Sequence, residues 1–311
     1  MTFRLQRWSC LAVAGVLYLA LAAAASAQVA VTVDGDTAYA TIALTDANGI
    51  TYDADVTIVF DTPQNLSPES LNLTAELVDP AAIDVRLPAD DIPITCGGGV
   101  AMDPAFPMMI TVEPIDIPWL FSSGFDGGSA AGGGLEFLNT YSFEIHTHDL
   151  VYEPHSTYRL FKAPIGGNFD DITDDVLSGS VRARGRHGAF SQFLIASDTR
   201  GQGALIPSLC QPILGKTLAL EARILASILG DVLRLDLLNL LAKVVALLPI
   251  DVAGALDTLD ELIAEIDANA GTEIANVWRA SRDVANDAGE MKGIAEALRF
   301  SIQESQNTAN P

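Results

Sequence analysis

The chain has 311 residues, with 40 acidic against 17 basic side chains and a net charge of −23. So acidic a surface repels phosphate backbones and anionic lipid, which argues against nucleic-acid and membrane-surface roles; it suits either cations and basic partners or simply the solubility of an exported protein. The length allows one large domain or two ordinary ones, with enough apolar residues for a core.

The N-terminal 27 residues carry Arg4 and Arg7 and no acid, an apolar run from Leu11 to Ala24, and the triplet Ala25-Ser26-Ala27. That order reads as a secretory signal peptide, cut between Ala27 and Gln28. The apolar run is shorter than the roughly 20 residues that span a bilayer. Cys10 precedes the run, whereas a lipid-bearing cysteine follows it. The expected location is periplasmic or extracellular, and no later stretch has the length of a transmembrane segment. Cleavage leaves residues 28–311, 15 basic side chains and a net charge of −25. It also leaves two cysteines, Cys96 and Cys210. In an oxidising compartment such a pair reads as one disulfide, the alternative being two buried thiols.

From Gln28 to about Leu205 the pattern is that of strands. Residues 29–33, 37–45 and 53–60 are extended runs parted by Asp34-Gly35-Asp36 and Asp46-Ala47-Asn48-Gly49, both turn signals. Further strands are expected around 71–78, 82–87, 108–113, 141–152, 157–162, 179–184 and 190–197. Phe125 to Gly134 is Gly-rich, has no phosphate-loop lysine, and reads as a flexible surface loop.

From about Gly215 the period changes. Leu218 to Leu248 reads as helix, stopped by Pro249. Asp251 caps a second helix running to about Ala268. Its apolar positions Val252, Leu256, Leu259, Ile263 and Ile266 share one face, opposite Asp257, Asp260, Glu261 and Glu265. Thr272 caps an expected third helix through Val277 and Trp278. A weaker helical run, 290–303, precedes a polar tail, 304–311, expected to be disordered. These helices either pack on the β-domain, pair with another copy, or bind a lipid or partner helix; the 4-3 spacing of the second suits a coiled-coil seam.

The expected fold class is therefore a mainly β N-terminal domain, an antiparallel β-sandwich over 28–210, followed by an α-helical C-terminal segment over 211–303.

Glu144-Ile145-His146-Thr147-His148 puts two imidazoles and a carboxylate on one face of a strand. With His155 after the turn-like Glu153-Pro154, they form a plausible zinc set; the plain alternative is a solvated strand face. Asp34, Asp36, Asp46, Asn48, Asp53 and Asp55, and Asp170-Asp171 with Asp174-Asp175, offer oxygens to calcium, though none completes a known calcium loop and all suit turns. Arg182, Arg184 and Arg186 alternate, with Arg159, Lys162 and Arg200 nearby. They read as an anion or polysaccharide site, or as cross-strand partners of Asp170, Asp171, Asp174, Asp175 and Glu144. There is no G-x-S-x-G, H-E-x-x-H or S-x-x-K motif.

Thr157-Tyr158-Arg159-Leu160-Phe161-Lys162, Phe169-Asp170-Asp171-Ile172-Thr173, Gly179-Ser180-Val181-Arg182 and Phe190-Ser191-Gln192-Phe193-Leu194-Ile195 together resemble segments of exported bacterial proteins of unknown function with a β-sandwich module. The resemblance covers residues 157–200 and implies a sandwich in a bacterial envelope, with no activity.

The function expected is thus an exported, acidic, non-enzymatic binding or structural protein of the envelope, its partner an envelope protein, a glycan or a second copy through the C-terminal helices. The rival is a metal-binding protein or metal-dependent hydrolase using zinc or calcium. A third reading is hydrophobic-ligand binding by the Leu-rich helices.

Overall fold

The computed structural model describes residues 27–88, 97–116, 134–201 and 210–309. The signal-peptide expectation, Cys96 and most of the Gly-rich loop lie outside them.

The chain opens with β1 (Ala27–Gln28), β2 (Val31–Asp34), β3 (Thr37–Thr45) and β4 (Thr51–Gln64), where the sequence places strands. In β3 and β4 burial alternates: Ala38, Ala40, Ile42, Ala54, Val56, Ile58 and Phe60 point inward. The turn between them is held by Asp46, whose carboxylate accepts the amides of Asn48 and Ile50, both at 2.8 Å. Next come the short helix α1 (Pro68–Leu71), β5 (Leu73–Leu77), α2 (Pro80–Asp84), β6 (Val100–Ala101) and β7 (Met108–Val112). The strand expected over 82–87 is replaced by α2. Asp79 caps it by accepting the Ala81 amide, and Pro80 opens it, a local start signal that outweighs the alternation of Ile83, Val85 and Leu87.

The long β8 (Glu136–Thr147), β9 (Tyr158–Ala163), β10 (Asp170–Asp171), β11 (Thr173–Leu177), β12 (Val181–His187) and β13 (Gln192–Asp198) complete two antiparallel sheets. One has the order β1-β5-β7-β13-β9-β10, with β6 on β13; the other is β11-β12-β8-β4-β3-β2. β10 and β11 fall where the Asp-rich sequence suggested turns. Their acids have basic partners across the ladder, Asp170 opposite Lys162 and Asp175 opposite Arg184. Between the sheets lies one aromatic-rich core, with Phe143 stacked on Phe193 at 3.9 Å and Tyr141 on Phe190 at 4.2 Å.

The C-terminal segment has α3 (Gln211–Ala226), α4 (Asp231–Leu247), α5 (Val252–Asn269), β14 (Val277–Arg279) and α6 (Asp287–Ala309). Three expectations change. The run 218–248 is two helices, broken at Ser227–Gly230, where Gly230 opens α4. The third helix is instead β14, which pairs with β8 and stacks Trp278 on Phe137 at 5.2 Å; burying an indole among aromatics outweighs a marginal helix. The expected tail is helical as far as Ala309, and its first residue, Glu304, reaches Arg159 of β9 at 3.6 Å. Asp251 does cap α5, accepting the Gly254 amide at 3.0 Å. The seam of α5 faces its own neighbours: Leu259 and Ile266 are fully buried against α4 and α6. Among the described residues no helix is long and apolar enough to cross a membrane.

Candidate interaction surface

On the outer face of the second sheet, Glu144 and His146 are half-buried and His148 is exposed, while Phe143 and Ile145 point into the core. His146 stands between Asp55 and Arg182 in the ladder. Its Nε2 is 2.6 Å from the Ser180 hydroxyl, and its Nδ1 is 3.7 Å from the Asp55 carboxylate. Burial, then Arg182 and His148, hold its pKa below the usual histidine value. The two imidazoles lie edge to face, 4.7 Å between centroids. Glu144 sits between Thr57 and Arg184. His155 occupies a turn with φ of 61° and lines a cavity elsewhere, beside Arg159 and Glu304. Among the described residues no three His, Cys, Asp or Glu are grouped as metal ligands.

The basic stretch is largely partnered within the chain. Arg184 donates to Asp174 and Asp175, at 3.2 and 2.8 Å, and Arg186 is 3.3 Å from Asp174. Arg200 grips Asp198 with two hydrogen bonds in a buried pair. Arg159 lies over the Phe300 ring and 3.6 Å from Glu304, so it ties β9 to α6.

The last contact belongs to a wider pattern. The sandwich core and the helical core are separate apolar clusters. Much of the ground between them is polar. Lys216 of α3 donates to Asp171 of β10 at 2.5 Å and to Ser301 of α6 at 2.6 Å, all buried. Thr173 donates both its amide and its hydroxyl to the same aspartate. Burial pulls the Lys216 ammonium below its ordinary pKa. The nearby lysine overcomes the burial of Asp171 and holds that carboxyl below its own. Arg223 of α3 pairs with Asp287 and Glu290 of α6. Glu290 is raised by burial and faces Lys162, whose own burial brings its pKa down to about 8. His187, half-buried, is held well below its usual value by desolvation and by Lys162 and Arg223 nearby.

α6 comes this close because of two glycines. A Cβ on Gly289 would lie 1.9 Å from the Asn139 carbonyl oxygen, and one on Gly293 2.5 Å from that of Arg186. Two small cavities flank the Lys216–Asp171 pair, of about 70 and 180 Å³. Cys210 lines the first and is buried; Cys96, its expected partner, is outside the described residues. The sequence reading missed Lys216, Glu290 and Asp287. The Gly289/Gly293 spacing was the one signal that α6 meets a backbone closely.

The outward side of the helical unit is different. α3 exposes Leu218, Ala222, Leu225 and Ala226, and α4 exposes Val232, Leu235, Ala242, Val245 and Ala246. Ile228 between them is 91% exposed. By contrast α5 exposes Asp257, Asp260, Glu261 and Asp267. So many exposed apolar side chains on two helices of so acidic a chain, with Glu221, Asp231, Asp236, Asn239 and Lys243 exposed among them, mark a candidate interaction surface.

The architecture is that of an antiparallel β-sandwich clasped to a C-terminal helical unit that presents an apolar outer face. Over residues 13–306 the chain matches the model of a family described as a family of unknown function (DUF6689), and it belongs to that family. No curated protein and no solved structure matches it.

Proposed function

We propose that this is an exported, acidic, non-enzymatic binding or structural protein of the bacterial cell envelope, working through the outward face of α3 and α4. The observation that carries this reading is that apolar face, set on a surface otherwise rich in acids. The N-terminal pattern supports export, with cleavage after Ala27, and Cys210 supports a bridge to Cys96 in an oxidising compartment. The charged groups near the cavities are bonded largely to one another, which suits a structural clasp.

The test is expression of the full chain in a bacterium, followed by fractionation and intact-mass measurement. Mature protein in the periplasm or medium, beginning at Gln28 and two hydrogens lighter than its dithiol form, is expected. An uncleaved, reduced chain in the cytoplasm would overturn the reading. A second reading, a zinc or calcium protein using Glu144, His146 and His148 without His155, draws support from the His146–His148 proximity. Bound metal that disappears with His146→Ala/His148→Ala would favour it; metal-free protein with an unchanged melt on adding zinc or calcium would remove it.

A further inference from the structure

Resting on that reading of the α3–α4 face, we propose that its occupant is a second copy of the chain, with α4 packed antiparallel on α4 about a twofold axis that crosses the seam between Asn239 and Ala242. α4 carries two apolar stripes. Leu233, Leu237, Leu241 and Val244 are buried in the helical core. Val232, Leu235, Asn239, Ala242 and Ala246 all face solvent, Val232 at 76% and Leu235 at 59% exposure. Their spacing of 3-4-3-4 is a heptad seam with every a and d position outward, and among the described residues they stay exposed.

The positions flanking the seam select the partner. In the antiparallel register Asn239 layers against the partner's Ala242 and Leu235 against the partner's Ala246. Asp236 then meets the partner's Lys243, and Leu238 the partner's Val245, each pair occurring twice by symmetry. One flank is charge-complementary and the other apolar, so the surface is complementary to itself. A parallel pairing instead sets Asp231 beside the partner's Asp236, two like charges. Asn239 on the seam is the single polar residue that fixes register in such interfaces. Ile228 and Ile250, just beyond the two ends of α4 and 91% and 81% exposed, come near one another across the antiparallel pair. α5 cannot serve, because its outward face is acidic and would repel its own copy. Lys243 already lies 3.7 Å from Glu261 in its own chain, but both side chains are largely exposed and leave the ammonium free to be shared.

The experiment is sedimentation of the purified exported chain over a concentration series, with melting as a check on folding. A dimer is expected. Leu235→Asp should make it monomeric without changing the melt of the dilute protein; should that variant misfold, Ala246→Glu at the same seam serves. Asp236→Lys and Lys243→Asp should each weaken the dimer about tenfold, equivalent to about 1.4 kcal/mol, and together should restore it. A wild-type chain that stays monomeric throughout overturns the proposal, as does a dimer that ignores Leu235→Asp and Ala246→Glu or shows no rescue in the double swap. A correctly exported, processed monomer would sink this inference alone, whereas a cytoplasmic, unprocessed chain would sink the reading beneath it.

Discussion

The two sides of the helical unit invert the usual arrangement. Its inner side meets the sandwich through Lys216–Asp171, Arg159–Glu304 and the buried Lys162 facing Glu290, and its outer side shows Leu218, Leu225, Val232 and Leu235 to solvent. Charges withdrawn from water need matched partners, so the inner contact tolerates one mutual geometry. Hydrocarbon left in water needs only to be covered, so the outer face is adapted to association. The inner side specifies how the chain folds upon itself, and the outer side is where it has something left to bind.

That contrast predicts a ranked set of effects. The largest belongs to the buried pair. Lys216→Met leaves Asp171 without its cation and should cost about 3–5 kcal/mol in a denaturant melt, while Lys216→Met combined with Asp171→Leu should recover most of the loss. If the single variant melts like the parent, the clasp is not ionic.

Lys162 should act in the opposite direction. Its folded pKa of about 8 lies below the ordinary 10.5, so the fold prefers the neutral amine. The cost of holding it charged is complete below pH 8 and fades as the pH rises towards 10.5. Lys162→Met should therefore be the more stable protein at pH 7, by about 3 kcal/mol, with an advantage that shrinks through that window. Urea melts at several pH values would read this, and a pH-independent difference would contradict it.

Gly289→Ala tests the close approach of α6. A methyl group 1.9 Å from the Asn139 carbonyl must push the helix away, at about 1–3 kcal/mol. The smallest effect is expected on the outer face: Leu218→Ser should leave stability within about 0.5 kcal/mol, because that side chain is half in water already. A large loss there would mean that the face is already covered.

Much of the fold was legible in the sequence. β3, β4, β7, β9 and β13 follow from alternation and turn residues, and α5 from its cap and its 4-3 stripe, because period and capping are local properties. Four of the misreadings share one cause. α2, β10, β11 and β14 are short, and a short segment takes the conformation that its neighbours reward. Trp278 joined the aromatic cluster, and the aspartates of β10 and β11 found Lys162 and Arg184 across the ladder. Of the candidate site residues, Glu144, His146 and His148 do share a strand face, as their spacing requires. That His155 turns away to another cavity depends on a turn at positive φ that no spacing rule covers.

The sequence by itself determined the two-part architecture, the acidic surface and the amphipathic period of the helices, since each depends on residue type and spacing along the chain. Only the tertiary structure decided which apolar stripes are spent inside and which remain outside. The 4-3 seam of α5, the better coiled-coil pattern on paper, is buried against α4 and α6, and the weaker stripe of α4 is left facing water. A helix cannot report from its own residues which of its faces a neighbour will cover; that is fixed by where Gly289 and Gly293 let α6 lie and by the ion pairs Lys216–Asp171 and Arg159–Glu304 that hold α3 and α6 to the sandwich.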